Sequence, residues 1–223
     1  MAHVLLGLTG SVASIKAPEL FAALIQNGHR VRVVATRHAC HFFDPAGFTA
    51  LAKPGSPSLR DPEICVLDED EWPTQAGQGS WTRGEGVLHI ELRRWADIFL
   101  VAPLDATTLA KFSLGLSDNC LSCVWRAWEP TKPRIIAPAM NTVMWNQPVT
   151  ARHLAQLAMD AGFHPGAKAE FSEISEALQK GAGQLFMASP ENRTLACGDE
   201  GVGAMAPVAA LTELVDRVLG LRI

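Results

Sequence analysis

Apolar residues along the chain fall into short unbroken runs that alternate with stretches of helical spacing. His3–Leu8 is such a run, as a strand buried on both faces requires. Over Ile15–Asn27 the residues Leu20, Phe21, Leu24 and Ile25 recur at helical spacing, and Gly28 marks the stop. Arg30–Ala35 is β-branched and reads as a second strand, which completes a βαβ unit. From Phe43 to Gly86 the pattern breaks into scattered prolines and glycines, with one short strand candidate at Ile64–Leu67. The remainder of 44–86 reads as a mobile loop, since loops of that length are usually functional or disordered. Order returns at Val87. Strands are expected at Ile98–Ala102, Arg134–Ala137 and Gln184–Ala188. Helices are expected over about Ala106–Leu114, Asn119–Arg126, Ala151–Ala161, Glu170–Lys180 and Leu211–Leu219. This alternation predicts one α/β domain, 1–223, built on a doubly wound parallel sheet.

Composition narrows the function. At 223 residues and 48% hydrophobic content the chain can fill a sizeable core. The net charge of -4, with Lys and Arg scattered, excludes the basic stripe that nucleic-acid binding needs. No apolar run approaches the roughly 18 residues that span a bilayer, and the first residues lack the features of a secretory signal. The expectation is a cytoplasmic protein that handles a small molecule, with neither nucleic-acid nor membrane partners. Five cysteines, an odd number, argue for free thiols. Cys120 and Cys123 have CxxC spacing but no second pair, so they read as buried thiols on a helix face, and no metal site is expected.

Four motifs carry chemistry. Gly7-Leu8-Thr9-Gly10-Ser11-Val12-Ala13 lies between the first strand and helix, where open α/β sheets bind phosphate. It is neither GxGxxG nor a Walker sequence, and suits a monophosphate better than a pyrophosphate. The competing reading is an ordinary tight turn. Thr36, at the end of the second strand, is a second candidate phosphate ligand. His89, in Val87-Leu88-His89-Ile90-Glu91-Leu92, is either a structural histidine or a base poised near neutral pH. Asn141, in Pro138-Ala139-Met140-Asn141-Thr142-Val143-Met144-Trp145, follows a strand end where ligand groups collect, although Asn is also common in turns. Cys197, in Leu195-Ala196-Cys197-Gly198-Asp199, stands in a Gly-rich loop suited to an accessible proton donor or nucleophile.

In this order the motifs resemble the homo-oligomeric flavin-containing cysteine decarboxylases. The likeness covers about residues 3–44, 87–154 and 184–207, and includes a PxMNxxMW motif at Pro138–Trp145. It implies a flavodoxin-like (Rossmann-like) fold, FMN as cofactor, and assembly as a homotrimer or a multiple of trimers. It implies that Gly10, Ser11, Val12 and Thr36 hold the phosphate side of FMN, and that Asp105, Ala106, Thr107, Thr108 and Ala139 line the flavin. By the same resemblance His89 and Cys197 are catalytic, Asn141 binds the substrate carboxylate, and Met144 and Ala196 meet the substrate. A substrate clamp is expected near 193–206. The implied reaction is decarboxylation of 4′-phosphopantothenoylcysteine to 4′-phosphopantetheine, in coenzyme A synthesis. A peptidyl-cysteine substrate and a non-catalytic regulatory relative are the alternatives.

The chain departs from the family pattern in three places. Asp105 stands where a small hydroxyl residue is usual, which bears on FMN affinity. Thr194 replaces a basic residue, with Arg193 beside it. The segment near 163–183 is an atypical insertion.

Overall fold

The computed structural model describes residues 1–54, 60–72, 86–164, 166, 170–194, 198 and 200–220. Residues 55–59 and 73–85 of the expected loop, and Ala196 and Cys197 of the expected clamp, lie outside the described residues.

Six parallel strands form the sheet: β1 (His3–Leu8), β2 (Arg30–Ala35), β3 (Cys65–Val66), β4 (Ile98–Leu104), β5 (Arg134–Pro138) and β6 (Leu185–Met187). Their order is β3-β2-β1-β4-β5-β6, so the direction of winding reverses between β1 and β4. β4 is buried at all seven positions, as a central strand covered on both faces must be. The pleat sends alternate side chains to opposite faces. Val4, Leu6 and Leu8 of β1 pack with α1 (Ala17–Gln26), α2 (Ala46–Ala52) and the C-terminal helix Val208–Val218. Leu5 of β1 joins the other face, covered by helices at Leu88–Trp95, Ala106–Leu114, Cys120–Ala127, Pro148–Asp160 and Phe171–Lys180. In chain order, with two short helices α3 (Asp68–Glu71) and α7 (Thr142–Trp145), these are α4, α5, α6, α8, α9 and, at Val208–Val218, α10.

The expected doubly wound α/β domain is therefore present. Strand limits agree with the apolar runs to within three residues, and helix starts differ more. Val12–Lys16 is a tight 3-10 turn leading into α1, and α10 begins at Val208. The segment 44–86 is not wholly loop, since α2 buries Phe48 and α3 follows β3 directly. The segment 163–183 carries α9, whose Ile174 and Leu178 enter the core. Glu191–Thr194 (β7) and Glu200–Ala204 (β8) pair as a separate antiparallel ribbon that the apolar pattern did not signal.

Three of the four consecutive acidic residues of α3 make contacts that organise what surrounds them. Asp68 Oδ1 accepts from the backbone N–H of Cys120, at the start of α6 (3.0 Å). Asp70 takes a two-pronged contact from Arg60, with Nη2 donating to Oδ1 at 2.9 Å. Glu71 reaches the start of α4. Carboxylates at helix starts meet unpaired N–H groups and the positive end of the dipole.

A polar clamp fixes α10 against the end of α1. His29, whose side chain is 0% exposed, bonds through Nε2 to Asp216 Oδ1 at 2.8 Å. Asn27 Nδ2 donates to Asp216 Oδ2 at 2.9 Å. Asp216→Ala strands the buried imidazole, and is expected to cost about 1–3 kcal/mol of stability. Urea unfolding checks this; an unchanged midpoint would show that the clamp contributes nothing.

Candidate active site

The site is assembled by a row of hydrogen bonds across the carboxyl ends of the strands. Thr36 N–H donates to Leu8 O (3.0 Å), which joins the ends of β2 and β1. Thr9, wholly buried, donates from Oγ1 to Pro103 O (2.9 Å) and accepts from Asp105 N–H (2.8 Å), joining β1 to β4. Ala139 N–H donates to Leu104 O (2.9 Å), joining β4 to β5. Met140 N–H donates to Gly203 O (3.0 Å), which seats β8 on the turn after β5. The expected site residues of four separate segments are thereby placed along one edge.

The edge is crowded at Gly10. A Cβ there would lie 2.8 Å from His38 Cβ and 3.1 Å from Asp105 Oδ2, so the turn must stay bare backbone. Ser11 follows as an N-cap, with Ala13 N–H donating to its Oγ (3.4 Å). Asp105 is the N-cap of α5, and its Oδ1 accepts from Thr108 N–H at 2.6 Å. A serine hydroxyl also performs that task, so the departure at 105 keeps a local role.

Beside this edge lies a cavity of about 610 Å³. Ser11, Val12, Ile15 and Lys16 form one wall, Ala139–Asn141 a second, and Arg193, Thr194 and Gly203–Ala209 a third. Val12 and Ile15 are exposed apolar residues, and much of the remaining wall is Ala, Met, Pro and Val. The volume and character suit a small ligand with an apolar part. Asn141 Oδ1 accepts from Val143 N–H at 2.8 Å, which fixes the orientation of the amide. Lys16 is paired with Glu19 (3.1 Å), and Arg193 with Glu191 (2.7 Å).

Of the expected cofactor contacts, Ser11, Val12 and Ala139 line the cavity together with Asn141. Gly10, Thr36 and Asp105–Thr108 stand along the strand ends and are not part of its wall. Met144 is exposed on α7 and is not part of it either. Nor is His89, which sits on α4 among α3 and α6, on the face opposite α1 and α10. His89 Nδ1 lies 2.7 Å from Glu71 Oε1, and its backbone N–H donates to Glu71 Oε2 at 2.9 Å. Cys120 is buried and Cys123 half-buried. Burial, ahead of the charges of Glu71 and Asp68, pushes the Cys120 thiol above the ordinary range, and burial also raises Cys123. Both thiols therefore stay protonated at neutral pH. Among the described residues no cluster of His, Cys, Asp and Glu is placed to hold a metal.

Residues 1–220 match the model of the family described as Flavoprotein. The chain belongs to the Flavoprotein family. This flavoprotein is 40% identical over 219 residues to phosphopantothenoylcysteine decarboxylase of Mus musculus, covering 97% of the chain and 87% of that relative. A solved PPC decarboxylase variant complexed with pantothenoylaminoethenethiol superposes with a TM-score of 0.72 at 38% identity, covering 98% of each chain. The FMN binding protein AtHal3 gives a TM-score of 0.70 at 37% identity, covering 100% of the flavoprotein and 98% of its own chain.

Glu71, Thr9 and the Pro207–Ala209 part of the wall were not among the residues singled out from sequence, whereas Met205 and Ala206 fall in the expected clamp. Thr9 lay inside a flagged motif, and its signal was a hydroxyl directly before the bare glycine. The other two gave none, because their partners are distant in the chain.

Gly203 has φ +155, and a Cβ there would collide with the Met140 carbonyl oxygen, which is backbone and cannot swing aside. Gly203→Ala is expected to lower the stability of the flavoprotein by about 1–3 kcal/mol. It is also expected to speed hydrogen exchange at Met140 N–H, because the bond to Gly203 O is strained. Parental exchange at Met140 would show that the ribbon is not seated through this contact.

Proposed function

We propose that this flavoprotein is an FMN-dependent carboxy-lyase that converts 4′-phosphopantothenoylcysteine to 4′-phosphopantetheine in coenzyme A biosynthesis. The observation that carries the reading is the near-full-length similarity to enzymes of that activity, on a fold that keeps the cavity and Asn141 together. FMN fits the edge described above. The bare backbone at Gly10, the N-cap Ser11 and Thr36 suit its phosphate, and the apolar wall formed by Val12, Ala139 and Met140 suits its ring.

When bound, FMN supplies reversible two-electron chemistry, taking the cysteine carbon of the substrate to the thioaldehyde level and back. At that level the carboxylate is β to C=S, so carbon dioxide leaves as its bonding pair is delocalised onto sulfur as an enethiolate. His89 accepts the thiol proton in the oxidative half. Asn141 holds the carboxylate before it leaves, its amide already oriented by the Val143 contact. Cys197 returns a proton to carbon. Met144 and Ala196 bind the substrate in this reading. Asp105 and Ala106–Thr108, at the end of β4, would line the flavin.

The working form in this reading is a homotrimer, or a multiple of trimers, in the cytoplasm. One observation supports the assembly: His89 is off the wall that holds Asn141, and in this reading a second copy of the chain brings the two together. Among the described residues no helix is long and apolar enough to cross a membrane.

Mass spectrometry of the FMN-loaded protein with 4′-phosphopantothenoylcysteine is expected to show loss of carbon dioxide and formation of 4′-phosphopantetheine. His89→Asn is expected to lower kcat/KM by about 10²–10⁴-fold, the range for a general base, with FMN still bound. An unreacted substrate in the first experiment, or full turnover in the second, overturns the assignment.

A further inference from the structure

The carboxylate of Glu71 touches one residue twice. Oε1 lies 2.7 Å from His89 Nδ1, while Oε2 accepts from the backbone N–H of the same residue at 2.9 Å. The Glu71 side chain is 5% exposed and that of His89 is 21% exposed. An ionised carboxylate only accepts, so Nδ1 carries the hydrogen and Nε2 is left as the nitrogen that takes up a proton. The double grip does more than choose a tautomer. Backbone and ring of His89 are held to one carboxylate, which fixes the side-chain torsions as well.

We propose that Glu71 is the positioning residue of His89, presenting Nε2 as the proton acceptor and stabilising the imidazolium formed when the substrate thiol is deprotonated. This rests on the reading of His89 as the base. The logic is that of a base oriented by a third group. Glu71 is itself anchored, because α3 is tied to the start of α6 through Asp68.

The alternative is that Glu71 merely caps α4. Val87 provides no side-chain cap to that helix, and a carboxylate at its first turn stabilises it in any case. The two roles separate in their pH dependence. Several other groups face the pair. Asp68 does so from α3, Cys120 and Cys123 from α6, with the Cys120 Sγ 3.7 Å from Glu71 Oε2, and Glu91 lies further along α4. Burial keeps both thiols protonated, and it raises the Asp68 carboxyl, a cause that substitution at 71 does not remove.

The test is the pH profile of kcat/KM for the FMN-loaded enzyme carrying Glu71→Gln, beside the parent, Glu71→Asp and His89→Asn. Loss of the negative partner lowers the affinity of imidazole for its proton. Glu71→Gln is therefore expected to move the acidic limb to lower pH, and to reduce kcat/KM by about tenfold or more. FMN affinity should remain parental. Glu71→Asp, which keeps the charge, should restore the position of the limb. Nitrogen NMR of the imidazole should report the Nδ1–H tautomer in the parent and its loss in Glu71→Gln. A Glu71→Gln enzyme that loses thermal stability while its limb and tautomer stay parental would make Glu71 a helix cap and overturn the proposal. Full activity of His89→Asn would instead remove the base reading, and this proposal with it.

Discussion

β1 and β4 are adjacent parallel strands whose chains leave in opposite directions, so no crossover helix covers the gap between their carboxyl ends. That gap has to be closed by polar contacts, and Thr9 supplies them. Its hydroxyl donates to Pro103 O and accepts from Asp105 N–H, both at the end of β4, inside a dry environment. The bare turn at Gly10, the cap at Asp105 and the seating of Ala139 against Leu104 all depend on that closure. The cavity then follows from geometry. Its walls are the turns that this row of bonds holds level with one another.

A second theme is the use of carboxylates from one short acidic stretch to start two helices. Asp68 meets α6 and Glu71 meets α4, while Asp70 is held by Arg60. In sequence this stretch looks like a solvated charge run inside a loop. In the fold it sits where strand β3 ends, and it brings negative charge to positions where unpaired N–H groups would otherwise face the interior.

The strands and long helices were legible because a buried parallel sheet imposes apolar runs and its covering helices impose a repeat. β4 and α5 show this directly. What was not legible has a common physical cause. α2, α3 and the β7–β8 ribbon are four to seven residues long, too short to complete a period, and β7 and β8 bury little apolar surface. His89 was visible as a chemical group, but its place on a helix N-terminus, away from the cavity wall, depends on how α4 packs against α3 and α6. Asn141 and Ser11 were legible because they sit at strand ends, where the topology alone gathers ligand groups. The pairing of Glu71 with His89 spans 18 positions in the chain, and no local pattern encodes it.

The position of the Gly203–Ala209 wall has a consequence for how the protein comes into being. A ribosome releases Ser11 and Val12 early and the residues of that wall near the end of the described chain. β1, too, is made long before its central partner β4. The Leu5 face of β1 must therefore wait until about a hundred residues have emerged, although α1 and α2 are available early to cover the other face. The ligand cavity has no third wall until α10 is being made. Cofactor capture is thus a late event in biogenesis.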